Sequence, residues 1–476
     1  MTLDHFPQVG RSPASILQDL EKLGRKDVEW KKGKVWSLVY YLDEEHEDLL
    51  RRAYAAYAST NYLNSFIFPA LQQMERDVVC MAAEMCNNPS AVGAMTSGGT
   101  ESILLAVLAY RNRAWKKRGG KLRRDILAPA TVHPAFEKAA HLFGLRLVRI
   151  PVCADKSLDV EALKARINAK TLMLVCSAPC YPCGVVDPVE EVAAIAREKD
   201  LPMHVDACVG GFLLPWAERL GRWKEPWDFR VEGVSSISLD VHKFGFGAKG
   251  ASVILYRGME LMKHQFFIST EFPGGIFVSP TLLGTRSGGA ISAAWSALQH
   301  LGVEGYLDIV SRLLDGADRL REFFSSVPEL EQVGASQLNI LAFRTIDNQP
   351  DTFVLADFLE KKGWRIDRQQ FPQCIHLTVL PTNLPVIEDF ISDIREALEF
   401  AKSHPEATAE GNAAMYGVMA RLPFRGMIEQ EVSQLFEDLY GQREEDSQTT
   451  VAPAWWMGPL NRFLRLWERW TKNKRR

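Results

Sequence analysis

Ser235-Ser236-Ile237-Ser238-Leu239-Asp240-Val241-His242-Lys243-Phe244-Gly245-Phe246-Gly247-Ala248-Lys249-Gly250 is the stretch on which the fold turns. A β-prone run, Gly233 to Ser238, leads in, and a second, Ala251 to Tyr256, leads out. Between them lies a short loop with three glycines and two lysines. A lysine so placed can lie beneath a cofactor held between strand ends and form a Schiff base with a carbonyl. Most loop lysines are merely solvated. The neighbours of Lys243, and two stretches upstream, set it apart.

Leu201-Pro202-Met203-His204-Val205-Asp206 is a short apolar run ending in a carboxylate, followed by Ala207, Cys208, Val209, Gly210 and Gly211. An aspartate at the end of a buried strand can keep the pyridine nitrogen of pyridoxal phosphate protonated, which makes the ring an electron sink. Met95-Thr96-Ser97-Gly98-Gly99-Thr100-Glu101-Ser102 precedes a long apolar helix. Glycines there let the backbone approach a ligand closely, and helix N-terminal amides bind phosphate. Each signal alone is weak, because a Gly-Gly-Thr turn is mostly a turn and an aspartate after a strand is mostly a cap. A phosphate cradle, a strand-end aspartate and a loop lysine in that order form a specific trio.

On these residues the chain resembles the sphingosine-1-phosphate lyases, in their bacterial-type soluble form. They are a branch of the group II decarboxylase-like enzymes that use pyridoxal phosphate. Thr96 to Leu104, His204-Val205-Asp206-Ala207-Cys208, Asp240 to Phe246 and Gly284-Thr285-Arg286-Ser287-Gly288-Gly289 carry the resemblance, which runs from about Val35 to about Tyr440. It implies fold type I, with a mostly parallel seven-stranded-type sheet in a large domain and a small α+β C-terminal domain. The implied cofactor is pyridoxal 5'-phosphate. The implied reaction cleaves the C2–C3 bond of a phosphorylated sphingoid base in retro-aldol fashion, giving a long-chain aldehyde and phosphoethanolamine.

The resemblance also assigns roles. Lys243 forms the Schiff base, Asp206 pairs with the pyridine nitrogen and His133 stacks on the ring. Ser97, Gly98, Gly99, Thr100 and His242 make the phosphate site, with Thr285 reaching it from the neighbouring subunit of a homodimer. Tyr40 and Lys249 meet the substrate phosphate, and Tyr181 lies near the reacting carbons. Asn64 is the departure: animal lyases have histidine at the matching place in Asn-Pro-Leu-His-x-x-x-Phe-Pro, where this chain reads Asn61 to Pro69. Asparagine still donates to a phosphate but carries no charge. Without the resemblance, His133 reads as a helix cap and Tyr181 as a ring packed beside Pro182.

Composition bounds these readings. Of 476 residues, 47% are hydrophobic and 24% charged, the balance of a globular protein with a large core. A net charge of −3 argues against a nucleic-acid partner. The polar N-terminus does not read as a signal peptide, and eight scattered cysteines suit a reducing, cytoplasmic setting. The one close pair, Cys180 and Cys183, lacks a second pair or a histidine cluster, so no metal site is expected.

Along the chain, residues 1–90 read as an N-terminal helical segment. Residues 91–305 alternate strands and helices, as a parallel sheet requires. Residues 306–441 mix strands and helices as a small C-terminal domain. Strands are expected at Gln337–Phe343, Trp364–Asp367 and Ile375–Val379, and a long helix at Val303–Ser326. Residues 442–476 read as a linker and a basic amphipathic tail. Its Trp455, Trp456, Trp467 and Trp470 beside Arg and Lys suit peripheral contact with a membrane surface or docking on the dimer itself.

Two rivals stand beside the lyase. An amino-acid decarboxylase of the same fold uses the same electron sink. Typical members carry Asp-Ala-Ala-x-Gly-Gly and a tryptophan after the lysine, where Cys208 and Phe244 stand here. A membrane-docked protein without catalysis would not need Lys243, Asp206 and His133 together.

Overall fold

Short apolar runs become the strands of one seven-stranded sheet. They are β1 (Val92–Thr96), β2 (Asp125–Pro129), β3 (Arg146–Ile150), β4 (Thr171–Ser177), β5 (Met203–Asp206), β6 (Val234–Leu239) and β7 (Ser252–Tyr256). Across the sheet the order is β1-β7-β6-β5-β4-β2-β3. β7 runs antiparallel to both neighbours, and the other pairings are parallel. The structure is a computed structural model that describes residues 6–63, 66–116, 122–405, 429, 432–434, 436–437 and 440–441. Asn64 and the 442–476 tail lie outside the described residues.

β2, β4, β5 and β7 are buried along their whole length, as strands covered on both faces must be. Alternation along β4 divides the core: Met173 and Val175 join Ile103, Leu105 and Ile126 on one face. Leu174 and Cys176 join Leu127, Val205 and Ile237 on the other. Helices Gly99–Trp115, Ala135–Phe143, Val160–Arg166 and Val189–Glu198 follow β1 to β4 in turn. The runs expected on either side of the Lys243 loop, Gly233 to Ser238 and Ala251 to Tyr256, are β6 and β7 to within one residue at each end, whereas the strand expected at Gln337–Phe343 runs from Ile340 to Thr345.

A hairpin, β8 (Phe267–Ser269) with β9 (Phe277–Ser279), stands apart from this sheet. It was not expected from the sequence. The long helix starts at Gly288 rather than Val303 and runs to Ser326. Gly302, at φ 53° and ψ −168°, breaks it in two. The expected start therefore marks only the second half.

The second sheet has the order β10-β11-β13-β12 and is antiparallel throughout: β10 is Leu330–Gln332, β11 Ile340–Thr345, β12 Asp367–Gln370 and β13 Gln373–Thr378. The strand expected at Trp364 begins instead at Asp367. Trp364 is fully buried and packs with Trp36 and Phe390, at centroid distances of 6.2 and 4.8 Å. The preceding backbone pairs with the N-terminal segment. Trp36 N donates to Arg365 O (3.1 Å), Arg365 N to Lys34 O (2.7 Å) and Thr378 N to Trp36 O (2.8 Å). Asn383 Nδ2 donates to the carbonyls of Gly33 (2.7 Å) and Val35 (2.9 Å). Tyr40 thus leaves an anchored segment.

Candidate active site

Ligands in such sheets collect at the carboxyl ends of the parallel strands. β5 ends on Asp206, and β6 leads directly into Asp240 and the Lys243 loop. Lys243 Nζ lies 2.8 Å from Asp240 Oδ2. Burial works against the lysine's charge, but Asp240, with Cys208 and Tyr40 behind it, outweighs burial and holds the ammonium above its ordinary pKa. Burial also opposes the Asp240 charge, and Lys243 and His242 outweigh it, so that carboxyl sits below its usual range. The loop is pinned from outside: His46 Nε2 donates to Phe246 O and Tyr306 Oη to Gly245 O, each at 2.8 Å.

Gly99 opens the helix that faces this pair. A Cβ there would stand 2.6 Å from Cys208 Sγ and 2.8 Å from each Asp240 carboxylate oxygen, so only glycine fits. The helix N-cap is Gly98, which has no side chain to accept from the first amides. The start of the helix is fastened by Ser102 Oγ, 2.7 Å from Thr96 Oγ1 and 2.8 Å from Ser252 Oγ. Ser97 commits both its amide and its hydroxyl hydrogen to Glu101 Oε2, each at 2.7 Å. Neither is then left for a ligand, and Gly99 and Thr100 supply the open amides. A Cβ on Gly98 would lie 3.3 Å from His242 Cε1, which puts the imidazole beside the glycine turn. His242 Nδ1 accepts from Ala251 N (3.1 Å), and Nε2 lies 3.6 Å from Asp240 Oδ2. Burial lowers the His242 pKa.

Asp206 is buried. Its Oδ1 accepts from Cys208 N (3.1 Å) and, more weakly, from Ser238 Oγ (3.4 Å). Beneath it, His204 Nδ1 lies 2.7 Å from Ser236 Oγ and Nε2 3.1 Å from Ser238 Oγ. Burial pushes His204 down to about 4 against the pull of Asp206, so the imidazole is neutral at pH 7 and leaves the carboxylate without a counter-charge from below. The buried Cys208 thiol feels Asp206, Asp240 and Lys243 together. His133 is exposed, and its Nδ1 accepts from Ala135 N at 3.2 Å.

A second group of side chains faces Lys243. Lys249 Nζ donates to Leu38 O and His242 O, each at 3.1 Å, and stands 4.6 Å above the Tyr40 ring. Burial first, and Lys243 second, lower its pKa to about 8. Burial raises Tyr40 to about 12. Tyr181 Oη donates to Asp367 Oδ2 at 2.8 Å. Burial first, then Asp367, push the Tyr181 phenol far above its ordinary value. Thr285 is exposed on the chain's own surface, where Asn61 Nδ2 donates to its Oγ1 (3.2 Å).

Asp240, Asp367 and His376 were not singled out from the sequence. Asp240 carried a readable signal, since a carboxylate three residues before a lysine in a tight loop can meet it. Asp367 carried none, lying 186 positions from Tyr181.

The residues fit pyridoxal phosphate. An unblocked helix start with a Cβ-free floor suits its phosphate. The Lys243 amine suits its aldehyde and the uncompensated Asp206 carboxylate its ring nitrogen.

Comparison with known proteins agrees. Residues 3–346 match the pyridoxal-dependent decarboxylase conserved domain. Sphingosine-1-phosphate lyase 1 of Rattus norvegicus is 39% identical over 439 residues, covering 91% of this chain and 77% of the rat protein. The sphingosine-1-phosphate lyase of Arabidopsis thaliana is 39% identical over 434 residues, covering 89% and 79%. Among solved structures, a sphingosine-1-phosphate lyase of Burkholderia pseudomallei superposes with a TM-score of 0.84 at 35% identity, covering 93% of this chain and 98% of that one. Glutamate decarboxylase of Lactobacillus brevis (TM-score 0.74, 20% identity, 86% and 96% covered) shares the fold. The chain belongs to the sphingosine-1-phosphate lyases within the pyridoxal-dependent decarboxylase family.

Proposed function

We propose that this protein is a pyridoxal-phosphate-dependent lyase that cleaves the C2–C3 bond of phosphorylated sphingoid bases to a long-chain aldehyde and phosphoethanolamine. The observation that carries the choice of substrate is Lys249. Its ammonium is held by two carbonyls over Tyr40, and among the described residues no carboxylate pairs with it. That leaves a positive charge on the Lys243 loop for a substrate phosphate.

Gly99, Thr100 and His242 would hold the cofactor phosphate, Asp206 its ring nitrogen, and His133 would lie on its ring. When bound, pyridoxal phosphate supplies a carbonyl carbon for an amine and a ring that accepts the electron pair of a broken bond. Lys243 would supply the amine that carries it between turnovers. Asp240, 2.8 Å away, accepts a hydrogen bond from the Lys243 ammonium and so holds it in place, and Lys243 Nζ must lose a proton before it acts as a nucleophile. Asp206 would keep a proton on the ring nitrogen. Tyr40, Lys249 and the Asn64 stretch bind the substrate phosphate and so orient the C2–C3 bond. Tyr181, Lys243 or the cofactor phosphate would move the proton at the C3 oxygen.

The protein would act as a homodimer, with Thr285 completing the partner's phosphate site. In support, Phe267, Ile268, Phe272 and Ile276 of the β8–β9 hairpin are 58–75% exposed in the single chain, an apolar patch of the kind that subunits cover. Among the described residues no helix is long and apolar enough to cross a membrane. The tryptophans and basic residues of 453–476 support peripheral contact with anionic lipid. Liposome co-sedimentation of the full chain against a truncation before Pro453 tests this, and equal binding removes it.

The test of function is a product assay. Protein saturated with pyridoxal phosphate is given sphingosine-1-phosphate, and long-chain aldehyde is followed by mass spectrometry. Aldehyde should form, and should be absent from a Lys243→Ala control. A yellow, cofactor-loaded protein that makes no aldehyde overturns the substrate. Carbon dioxide released from free amino acids would replace it with decarboxylation.

A further inference from the structure

Tyr181 lies on the loop that follows β4, yet its partners come from the second sheet. Its phenol donates to Asp367 Oδ2 at 2.8 Å. Its ring packs on His376 with centroids 4.3 Å apart and planes tilted by 36°. Asp367 opens β12, and His376 is its direct partner in β13. One pair of strands therefore presents both a carboxylate and an imidazole to Tyr181.

His376 is itself fixed. Its Nδ1 lies 3.3 Å from Pro182 O and its Nε2 3.1 Å from Thr378 Oγ1. A carbonyl only accepts, so Nδ1 carries the hydrogen and Nε2 takes the threonine's. Burial lowers the pKa of this histidine against the pull of Asp367. With both ring nitrogens committed to Pro182 O and Thr378 Oγ1, it supports the tyrosine without taking a hydrogen bond to Asp367. The other titratable groups that face Tyr181 are Tyr40 and Lys243.

We propose that Asp367 is the positioning residue of Tyr181. By accepting the phenolic hydrogen it turns the Oη lone pairs toward the substrate's C3 hydroxyl. As the C2–C3 bond breaks, the hydroxyl O–H bond breaks and a new Oη–H bond forms. The old Oη–H bond breaks, and its proton passes to Asp367 Oδ2. The O–H electron pair becomes the second bond of the aldehyde carbonyl. The pair of the C2–C3 bond stays with the amine-bearing fragment. Asp367 returns its proton to solvent before the next turnover. This rests on the lyase reading above.

The test compares Asp367→Asn, Tyr181→Phe, the double variant and Asp367→Glu. Circular dichroism checks the fold, and Asp367→Glu serves if the asparagine variant does not fold. Aldehyde formation gives kcat and KM across pH. In Asp367→Asn and in Tyr181→Phe, kcat should fall on the order of 100-fold, with KM changed less than about threefold. The double variant should be no slower than the slower single, because the two groups act as a unit. Asp367→Glu should recover part of kcat.

A second readout does not use turnover. Ultraviolet difference titration of the cofactor-free protein, referenced to Tyr181→Phe, follows the Tyr181 phenol. It should ionise at lower pH in Asp367→Asn, because a neighbouring negative charge has gone. A kcat within about twofold of wild type in Asp367→Asn overturns the proposal, as does strict additivity in the double variant. So does an unchanged phenol titration. If wild type makes no aldehyde from any phosphorylated sphingoid base, the lyase reading fails on its own, and the titration still decides whether Asp367 governs Tyr181.

Discussion

Lys243 Nζ and Asp240 Oδ2 form a 2.8 Å ion pair across one turn of the loop between β6 and β7, with Asp240 almost wholly buried. The carboxylate that meets the amine is therefore the one three residues before it. Asp206, at the end of the neighbouring strand, is left to serve a different atom.

Asp240→Asn should destabilise the cofactor-free protein by about 3 kcal/mol, because a mostly buried ammonium loses its counter-charge. The pH dependence follows from the directions of the shifts. The folded pKa of Asp240 is lowered, so its contribution is present above the unfolded value and is lost as pH falls through the folded one. That of Lys243 is raised, so its contribution is full below the unfolded value and is lost only as pH rises through the folded one. Denaturant melts at neutral and acid pH check this. The gap between variant and wild type should narrow in acid, and equal stability at neutral pH would remove the pair's role.

Lys249 should impose a pH dependence on substrate binding. With its pKa lowered to about 8, it is mostly charged at pH 7 and loses that charge as pH rises through 8. KM for a phosphorylated substrate should then climb above pH 8, with kcat less affected. Lys249→Arg keeps its charge and should flatten the climb. A KM that stays level through this range in wild type would separate Lys249 from the phosphate.

Gly99→Ala should cost both stability and cofactor. The new methyl meets Cys208 Sγ and both oxygens of Asp240, none of which is free to retreat. Overpacking of this kind costs about 1–3 kcal/mol. Because the same backbone offers the phosphate amides, affinity for pyridoxal phosphate should fall about tenfold or more. Equilibrium dialysis measures it, and unchanged retention would place the phosphate elsewhere.

Arg286→Ala should destabilise the protein by about 3 kcal/mol. Arg286 Nη1 lies 2.6 Å from Glu75 Oε1, and both side chains are nearly buried. The guanidinium stands 4.5 Å above the Tyr62 ring, and Tyr62 N donates to Arg286 O (3.0 Å). Glu75→Gln should cost a similar amount, and the double variant less than the sum of the singles. Additive losses in thermal melts would show that the two do not act as a pair. Since Arg286 also fixes the backbone beside Thr285, its loss should weaken the proposed homodimer in sedimentation runs.

Local chemistry made much of the site readable. Gly99, Asp206 and Lys243 lie at strand-to-helix or strand-to-loop junctions, where a few neighbouring residues define both the conformation and the chemistry. The apolar run that ends at Asp206 was clear for the same reason. What stayed hidden depends on pairing between distant segments. The sequence around Trp364 reads as a strand because it is apolar, but its backbone is taken by Lys34 and Trp36 and its ring by Phe390. Gly288 to Leu301 is rich in small residues and has little periodic contrast, so its helix did not stand out. Asp367 is an ordinary polar residue until β12 and β13 bring it against Tyr181.

The pairing of Lys34 and Trp36 with Arg365 and Thr378 has a consequence for synthesis. The N-terminal strap emerges first from the ribosome, but its hydrogen-bonding partners are made more than three hundred residues later. Until then Trp36 has no aromatic shelter, and the second sheet cannot close its contacts. The large sheet can form during translation, whereas the segment that carries Tyr40 settles only near the end. A chain halted before β13 would hold the Lys243 loop while Tyr40 stays unanchored, and so lack part of the proposed grip on the substrate phosphate.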